Sequence, residues 1–504
     1  MKLRRKLYQI NESVNRRKLL IIILSLAVVL RFFGLSWVPG LDYDSTIYMM
    51  KANDIIHHVD TPLIGSQIYF GPFFFYLLAS LGSMFGVSIF LSRFILAIIG
   101  VLTVVMAYLV GKKYFSEMVG LIAAVLVAVS PWQIAHSRLI WEVNFVPLFV
   151  LIVLYLLMKS LKRAYLVPMV GFFLGMAFQS HPTSILVAPI IFAFYFINRR
   201  KILYSKLFLL ALVLFILAYF PILLFNFKNG FTMFDYFSKS FSNSDQTINF
   251  SSRFNFVMQL IKENLSGPWR FTNPDMSPLF LDNILHMPTL YVIWIVSLVF
   301  LLYKFSKSKK ILLFANVFFL LALPFVSLSK GLYSHYLMFF MPFLFLAVSV
   351  LLSTLISDIF KNKFRYIIII FLFLLVTQNV IYIADNYFRF YYEVGGTGYF
   401  ETHKCCKEEV AKIIRQSTDN TVKIIFEDDI NLFVPVSFYL HNYSYVVLQN
   451  CDKETFANNS SKIVYVFNYN SLCDQNFKAF SPSSKAQIVK SPSGETNVFS
   501  IYLT

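Results

Sequence analysis

The stretch ILVAPIIFAFYFINRRKILYSKLFLLALVLFILAYFPILLF, residues 185–225, holds two long apolar runs joined by a short basic segment. Each run is about as long as a helix that crosses a bilayer when tilt is allowed. The basic residues between them mark the side of the membrane on which the two helices are connected. These residues are Arg199, Arg200, Lys201 and Lys206. The stretch therefore predicts a polytopic membrane protein and indicates its orientation.

The same alternation extends along the whole chain. Eleven apolar runs lie near residues 20–38, 87–110, 118–135, 145–158, 164–178, 185–197, 207–225, 287–303, 311–328, 336–356 and 366–384. Clusters of Lys and Arg fall at every second gap, within residues 2–18, 112–113, 159–163, 199–206, 304–310 and 361–365. The positive-inside rule makes these gaps cytoplasmic. The outward segments are then 39–86, 136–144, 179–184, 226–286, 329–335 and everything after Asp385.

Composition agrees with this interpretation. Hydrophobic residues make up 58% of the chain and charged residues only 14%, which is far from the balance of a soluble domain. The net charge of +18 is explained by the cytoplasmic clusters and by attraction to anionic lipid. No aromatic-basic motif points to nucleic acid, so we expect no nucleic-acid partner.

We expect an all-α membrane domain of about eleven transmembrane helices at residues 20–385, after a basic cytoplasmic leader at residues 1–19. The first apolar run has no small-residue cleavage site, so it is expected to stay as an anchor. Within the outer segment 39–86, the stretches Asp44 to His58 and Phe70 to Phe85 are expected to be helices on the membrane surface. Segment 226–286 is expected to form a lid over an external cavity.

A small extracytoplasmic α/β domain is expected at residues 401–504, after a linker at 386–400 that contains Gly395 to Gly398. The pattern predicts a helix at 407–416 and strands at 421–426, 443–448, 462–467 and 497–503. All four cysteines, Cys405, Cys406, Cys451 and Cys473, lie in this outward part, which favours an oxidising compartment. A disulfide between Cys451 and Cys473 is predicted; a zinc site is the alternative.

Polar and charged residues collect at the outer ends of the apolar runs. The runs after the first contain almost no ionisable residue at mid-depth, which argues against a gradient-driven transporter. The outer-end residues are Arg31, Asp42, Asp44, Arg93, His136, Arg138, Glu142, Asn144, Gln179, His181, Thr183, Lys330, Tyr333 and His335. Several connections thus supply acids, bases and cations to one membrane-level surface. This arrangement predicts a site for a lipid-borne, anionic substrate.

Short motifs carry a resemblance to a known family over about residues 20–355. They are Leu41-Asp42-Tyr43-Asp44, Tyr69-Phe70-Gly71-Pro72-Phe73-Phe74-Phe75-Tyr76, Ser130-Pro131, Ser137-Arg138, Trp141 to Pro147, His181-Pro182-Thr183 and His335-Tyr336. In order and spacing the chain resembles membrane glycosyltransferases of the C-type fold. The nearest branch is that of the protein O-mannosyltransferases and lipid A aminoarabinose transferases, glycosyltransferase family 39 and its relatives.

This resemblance implies a polyprenyl-phosphate-linked sugar as donor, an external active site and an acid at the start of the first external loop. The chain departs from the family where Ser45 follows Asp44, since relatives commonly have an Asp-Glu pair. It departs again at Trp141-Glu142, where many relatives have an Arg followed by an Asp. These departures leave open which carboxylate is the base. They also leave open whether a divalent metal is bound, with Asp44, Glu142 and His181 as candidate ligands.

Three carboxylates are candidates for catalysis. Sugar transfer needs a group that takes the proton from the acceptor hydroxyl, and Asp44 is our choice for this base or for positioning the acceptor. The structural alternative is that Asp42 and Asp44 cap the helix that follows them. Glu142 is either a second carboxylate or the partner of Arg138 in a salt bridge at helical spacing. The aromatic row Tyr69 to Tyr76 is expected to pack at the membrane surface rather than against a sugar.

Four cations and two histidines are candidates for holding the donor lipid phosphate. Fixed cations stabilise charge on a departing phosphate, and the candidates are Arg138, Arg31, Arg93 and Lys330. The alternative for each is a side chain that extends to the membrane interface for solvation. His181 and His335 are expected to donate hydrogen bonds to the phosphate or to bind a metal, with a structural role as the alternative.

The resulting hypothesis is an inverting glycosyltransferase that acts on a protein, lipid or glycan acceptor at the outer face. A non-enzymatic lipid or polysaccharide translocase is one rival, although the sequence shows no polar path across the membrane. An oligosaccharide polymerase or ligase is another, and it would use a diphosphate-linked donor.

The alternating basic clusters give a testable topology. Reporter fusions after Arg200 and after Lys404 should report opposite compartments, because the first position follows a basic cluster and the second lies beyond the last span. A reporter that is active only in the cytoplasm and one that is active only outside should give reciprocal signals. A cytoplasmic signal after Lys404 would overturn the orientation.

Overall fold

The computed structural model describes residues 2–36, 38–242, 250–266, 289–303, 307–326, 334–359, 364–392, 404–418, 422–440, 443–448, 451, 463–490 and 497–503. Within these ranges the helices up to residue 392 pack into one α-helical domain. A five-stranded sheet with its own helices forms a second, C-terminal domain. The two parts match the predicted division into a helical membrane domain and a small α/β domain.

The first domain is built from sixteen described α-helices. In chain order they are α1 (Lys2–Phe32), α2 (Tyr43–Ile56), α3 (Phe73–Phe85), α4 (Ile89–Tyr114), α5 (Glu117–Val129), α6 (Pro131–His136), α7 (Val146–Ser160), α8 (Val167–Ser180), α9 (Ala188–Arg199), α10 (Lys206–Lys228), α11 (Thr232–Ser242), α12 (Phe250–Ser266), α13 (Thr289–Tyr303), α14 (Lys307–Val326), α15 (Met341–Thr354) and α16 (Phe364–Tyr392). Short 3-10 turns, Glu142–Phe145, Pro182–Val187 and Ser334–Leu337 among them, precede α7, α9 and α15.

Each of the eleven predicted apolar runs coincides with a helix, which bears out the membrane character of the chain. Among the described residues, five helical segments are long and apolar enough to cross a membrane. These segments are Ile89–Tyr114, Glu142–Ser160, Pro182–Tyr204, Lys206–Lys228 and Tyr366–Ala384. Six further apolar helices are shorter, so the count of eleven spans stays a prediction. The orientation and the basic leader, which forms the first part of α1, also stay predictions.

Two helices end several residues before the ends of the apolar runs that predicted them. Helix α1 ends at Phe32, before Gly34, whose φ of +63° is incompatible with a continuing α-helix. Helix α5 ends at Val129, because Pro131 cannot donate to the preceding turn. The Ser130 hydroxyl accepts from the Gln133 amide and starts the short helix α6. Helix α1 thus ends one residue after the buried Arg31, and α6 ends at the buried His136.

The outer segments also contain the expected helices. Helices α2 and α3 correspond to the two predicted surface helices, and α11 and α12 occupy much of segment 226–286. Whether that segment is a lid stays a prediction, and its turn at Gly267 to Arg270 lies outside the described residues. The predicted boundary at residue 385 is wrong, because α16 continues to Tyr392. The glycine-rich part of the linker also lies outside the described residues.

Helix α8 packs closely against α10 through two glycines. A Cβ on Gly171 would collide with the backbone of Ala211, and a Cβ on Gly175 would meet the carbonyl oxygen of Phe215. Without side chains at these positions the two backbones approach closely, which is a common packing mode between membrane helices. This contact fixes the C-terminal end of α8, where Gln179 and His181 lie.

The C-terminal domain contains a mixed sheet. Its strands are β1 (Lys423–Glu427), β2 (Ser444–Leu448), β3 (Ile463–Asn468), β4 (Ala486–Lys490) and β5 (Asn497–Leu503), in the order β2-β1-β3-β5-β4. Helices α17 (Lys404–Ser417), α18 (Ile430–Tyr439) and α19 (Leu472–Phe480) accompany it. The four predicted strands and the helix α17 are confirmed. The sequence prediction missed β4, α18 and α19, which are only 5, 10 and 9 residues long.

The two domains contact each other next to the start of α2. The Lys407 ammonium donates to the Leu41 carbonyl over 2.6 Å, although Lys407 belongs to α17. Phe438 and Tyr439, at the end of α18, pack against the apolar core of the membrane domain. The C-terminal domain therefore lies directly against segment 39–86.

The predicted disulfide between Cys451 and Cys473 is confirmed, with Cα atoms 5.0 Å apart. Cys406 is buried, and its thiol donates to the Lys490 carbonyl over 3.4 Å. Across the described ranges no group of three or more His, Cys, Asp or Glu residues is arranged to hold a metal. The zinc alternative therefore finds no support among those residues.

Loss of this disulfide should destabilise the C-terminal domain. The bond links residues that are 22 positions apart, and closing such a loop contributes about 3 kcal/mol in the chain-entropy model. Thermal unfolding of Cys473→Ser should therefore begin earlier, and mass spectrometry of alkylated, unreduced parent protein should find Cys451 and Cys473 unmodified. Reductant should not lower the stability of the Cys451→Ser/Cys473→Ser variant any further. Four alkylated thiols in the parent protein would contradict the prediction.

Candidate functional site

Asp42 and Asp44 lie at the start of α2, after an irregular segment that follows α1. Asp42 occupies the N-cap position, but its side chain makes no capping hydrogen bond. The Thr46 hydroxyl instead donates to the Asp42 carbonyl over 2.8 Å. Asp44 and Tyr48 are one helical turn apart, so both side chains face the same side of α2. That side borders a cavity.

The cavity has a volume of about 270 Å³. Its lining residues are Asp44, Tyr48, Ser66, Gln67, Tyr69, Phe70, Trp141, Glu142, Val143, His335 and Tyr336. All but Tyr336, which begins the next apolar run, come from gaps that the basic clusters assign to the outer side. Three segments that are far apart in sequence thus converge at one place. Of the predicted site residues, Asp44, Glu142 and His335 meet here.

Asp44 has an unusual electrostatic environment. Burial, together with the negative charge of Asp42, raises the pKa of Asp44 to about 7. Burial also raises the pKa of Asp42, opposed by the Ser45 hydroxyl and by the charges of Arg93 and Lys407. A carboxyl group that titrates near neutral pH is well matched to proton transfer, because it is a stronger base than an exposed carboxylate and roughly half of it is ionised at neutral pH.

Glu142 is buried on the opposite wall of the cavity. The Ser66 hydroxyl donates to Glu142 Oε1 over 3.4 Å, and Ser66 also lies 3.0 Å from the Tyr48 hydroxyl. A Cβ on Gly65 would lie 3.2 Å from the same carboxylate oxygen. The predicted salt bridge between Glu142 and Arg138 is wrong, because Arg138 donates to backbone carbonyls. Glu142 therefore belongs to the cavity as a second carboxylate.

Arg138 and Arg93 are fully buried, and both hold the irregular segment between α1 and α2. Arg138 donates twice to the Val38 carbonyl, from Nε over 3.1 Å and from Nη2 over 2.9 Å. Arg93 donates to the carbonyls of Leu35, over 3.1 Å, and Gly40, over 2.7 Å. Backbone that is neither helix nor sheet must find such partners when it is buried. These two arginines supply them.

Arg31 has a similar role at the end of α1. Its guanidinium donates to the carbonyls of Val127, over 2.9 Å, and Ala128, over 3.0 Å, while Arg138 donates to the Arg31 carbonyl over 3.1 Å. None of Arg31, Arg93 and Arg138 is among the described lining residues of the cavity. In this geometry the three arginines therefore do not line the cavity where a lipid phosphate could contact them. Nor do they extend to the membrane interface, because all three are buried.

Of the two candidate histidines, His335 lines the cavity and His181 lies behind it. The His335 ring lines the cavity, and burial lowers its pKa to about 3, so the ring is neutral. Its centroid lies 5.4 Å from that of Trp141 and 5.6 Å from that of His181. His181 is set deeper: its Nδ1 lies 2.7 Å from the Thr183 hydroxyl, and burial, with His335, lowers its pKa. Neutral rings of this kind can donate one hydrogen bond but supply no charge.

A metal site at Asp44, Glu142 and His181 is not formed in the described part of the chain, since His181 does not line the cavity shared by the two carboxylates. No described lining residue is Lys or Arg. Lys330 lies outside the described residues, five positions before His335 in the sequence. Its contact with the phosphate stays a prediction.

The aromatic row divides between two roles. Tyr69 and Phe70 line the cavity, whereas Phe74 and Phe75 are buried in the core of the helical domain. The prediction that this row packs at the membrane surface is therefore wrong for Tyr69, Phe70, Phe74 and Phe75. The sequence interpretation also missed Tyr48, Ser66 and Gln67. Helical spacing from Asp44 could have indicated Tyr48, but no pattern distinguishes Ser66 or Gln67 from other loop residues.

A family model supports the resemblance over part of the chain. Residues 70–225 match the model described as dolichyl-phosphate-mannose-protein mannosyltransferase. The matched region includes the motifs Trp141 to Pro147 and His181 to Thr183 in full. It also includes the motif Tyr69 to Tyr76 except for Tyr69. A search of curated protein sequences found no significant match.

Solved structures share the fold over nearly the whole chain. ArnT from Cupriavidus metallidurans, bound to undecaprenyl phosphate, is similar with a TM-score of 0.60 and 13% identity, over 96% of this chain and 97% of that one. The archaeal oligosaccharyltransferase AglB from Archaeoglobus fulgidus, in complex with an inhibitory peptide and a dolichol-phosphate, is similar with a TM-score of 0.56 and 15% identity, over 91% of this chain and 70% of that one. These likenesses confirm the predicted C-type glycosyltransferase fold.

Replacement of Arg138 distinguishes a structural role from phosphate binding. In Arg138→Met the carbonyls of Val38 and Arg31 lose buried donors, and each unpaired group costs about 1–3 kcal/mol. Thermal unfolding of the purified protein in detergent should therefore shift to clearly lower temperature. Arg199→Met is the matched control, because Arg199 also donates to a carbonyl, that of Leu161, but at an exposed position. Parent-like stability of Arg138→Met would contradict the structural role.

Proposed function

We propose that the protein is an integral membrane glycosyltransferase. It transfers a sugar from a polyprenyl-phosphate-linked donor to a protein, lipid or glycan acceptor on the extracytoplasmic face. The observation that carries the proposal is Asp44, a carboxyl group with a pKa of about 7 on a cavity that also contains Glu142 and several aromatic side chains. The family model over residues 70–225 and the fold shared with ArnT, whose structure contains undecaprenyl phosphate, support the donor class.

The reaction needs few groups from the protein. The acceptor hydroxyl attacks the anomeric carbon, the bond from that carbon to the phosphate oxygen breaks, and polyprenyl phosphate leaves with the bonding electrons. Asp44 takes the proton of the hydroxyl, so that a neutral acceptor becomes a glycoside without forming a free alkoxide. A single displacement of this kind inverts the anomeric configuration. No acid is required for the leaving group, because a phosphate leaves readily as an anion.

Glu142 and the hydroxyl groups of the cavity would position the sugar. Glu142 faces the cavity with Ser66 as its hydrogen-bond donor, and Tyr48 and Gln67 add polar atoms to the wall. Trp141, Tyr69 and Phe70 provide apolar faces on which a sugar ring can stack. A cavity of about 270 Å³ is small among ligand pockets. Its size favours a donor with a single sugar over one with an oligosaccharide.

The phosphate would be held by hydrogen bonds and by Lys330. His335 lines the cavity as a neutral ring and can donate one hydrogen bond. Lys330, just upstream of it, is proposed as the cation that stabilises the leaving phosphate. Arg31, Arg93 and Arg138 are not part of this proposal, because their donors hold backbone carbonyls. No metal is required by this scheme.

The membrane orientation completes the proposal. With the basic clusters in the cytoplasm, the plasma membrane protein has its amino terminus inside. The segments that line the cavity, and the C-terminal domain, then lie outside. The domain boundaries are proposed at residues 1–19 for the leader, 20–392 for the membrane domain and 404–504 for the external domain, the second and third adjusted to the observed helices.

A transfer assay tests the function and the role of Asp44 together. Purified protein in liposomes is incubated with radiolabelled undecaprenyl-phosphate or dolichyl-phosphate hexoses and pentoses and with membrane extract as acceptor. We expect labelled product and released polyprenyl phosphate, and Asp44→Asn should lower the rate about 100-fold to 10,000-fold, because the base is lost. Asp54→Asn, the same change in an exposed ion pair of α2, is the matched control.

Different outcomes separate the alternatives. Activity only with diphosphate-linked donors would indicate a ligase or polymerase, and movement of intact donor lipid across the bilayer without transfer would indicate a translocase. For the transferase, the rate should fall as the pH drops through about 7, by roughly tenfold per pH unit at lower pH, because protonated Asp44 cannot accept a proton. Parent-like turnover by correctly inserted Asp44→Asn would exclude Asp44 as the base.

A further inference from the structure

Lys407 is a buried lysine that reaches from the C-terminal domain to the candidate active site. Only 1% of its surface is exposed, and its ammonium donates to the carbonyl of Leu41 over 2.6 Å. Leu41 directly precedes Asp42, and α2 begins two residues later with Asp44 as its second residue. The lysine therefore contacts the backbone that aims Asp44 at the cavity.

Burying a lysine between two domains costs free energy. Removing an ammonium from water is unfavourable unless hydrogen bonds and opposite charge compensate for it. Apolar contacts between the domains are already provided by Phe438 and Tyr439. Lys407 adds a directed contact with one carbonyl and places a positive charge near Asp42, whose Oδ1 has no hydrogen-bond partner among the described residues.

Lys407 also completes a series of contacts along the irregular segment. Arg93 holds the carbonyls of Leu35 and Gly40, and Arg138 holds that of Val38. These two arginines belong to the helical domain. The carbonyl nearest to the carboxylates, that of Leu41, is held from the other domain.

We propose that Lys407 is a positioning residue for the transfer reaction, and that docking of the C-terminal domain completes the active site by fixing Leu41 and Asp42. This inference rests on the proposed function. It gives the external domain a role in catalysis, although that domain supplies no catalytic residue. When Lys407 is absent, the start of α2 loses the contact that holds the Leu41 carbonyl, and Asp44 is less well aligned with the acceptor.

The test compares Lys407→Met, which keeps length but removes the donor and the charge, with Lys407→Arg, which keeps both. Lys412→Met is the matched control, because Lys412 lies on the same helix in an exposed ion pair with Glu409. Transfer kinetics and hydrogen-deuterium exchange of peptides that span residues 40–46 are measured on full-length protein. Exchange in β1, β3 and β5 reports whether the C-terminal domain stays folded.

For Lys407→Met we expect kcat to fall about 10-fold to 100-fold with little change in the donor KM, because misalignment of a catalytic group affects the transition state most. Exchange at residues 40–46 should become faster while the sheet stays protected. Lys407→Arg should recover most of the rate, and Lys412→Met should match the parent protein.

Unchanged kcat and unchanged exchange at residues 40–46 in Lys407→Met would overturn the proposal, and so would faster exchange of the whole sheet without recovery in Lys407→Arg. If Lys407→Met does not fold, Lys407→Gln, which keeps a shorter donor without charge, is measured in the same way with an intermediate loss expected. If the parent protein transfers no sugar from any donor, the proposed function fails, and the exchange experiment alone decides whether Lys407 fixes the segment.

Discussion

Buried cations that bind backbone carbonyls are the interaction on which the rest of this structure depends. Between α1 and α2 the chain is irregular, and residues 38–42 of this segment are buried. Such backbone is tolerated only when other parts of the protein satisfy it. Arg93, Arg138 and Lys407 do so, and the Tyr387 ring lies 4.7 Å from the Arg138 guanidinium. Four elements from across the chain thereby meet at one short segment.

The same burial that requires these cations also sets the chemistry of the cavity. Asp44 follows the irregular segment into a poorly solvated space, which favours its neutral form and raises its pKa to about 7. The same environment keeps His335 uncharged. A site built in this way separates its charges: the cations stabilise the backbone behind the acids, and the carboxylates face the space where a substrate would lie. An arginine that was free to bind substrate could not at the same time hold the segment.

The sequence predicted the helices and most of the sheet because long apolar runs and alternating strands are local patterns. It also placed Asp44, Glu142 and His335 at one surface, since each follows or precedes an apolar run on the same side. It failed for Arg31, Arg93 and Arg138, whose partners are backbone carbonyls. Arg138, for example, contacts Val38, which is 100 positions away, and carbonyls are the same for every residue type. Hydropathy therefore located these arginines near the outer surface without indicating what they bind.

The helical framework around the cavity does not depend on one particular sequence. ArnT and AglB share this fold with the present chain at 13% and 15% identity, so the helical framework accommodates very different sequences. In this protein the loop through Ser66 and Phe70 lines the cavity, and the ring of Tyr236, on α11, lies 5.7 Å from that of Tyr69. The loop forms the cavity wall, where it bonds Glu142 through Ser66. Because the wall and the carboxylates are positioned together, a substitution is more easily accommodated farther from the cavity, where the described side chains of α11 are mostly exposed.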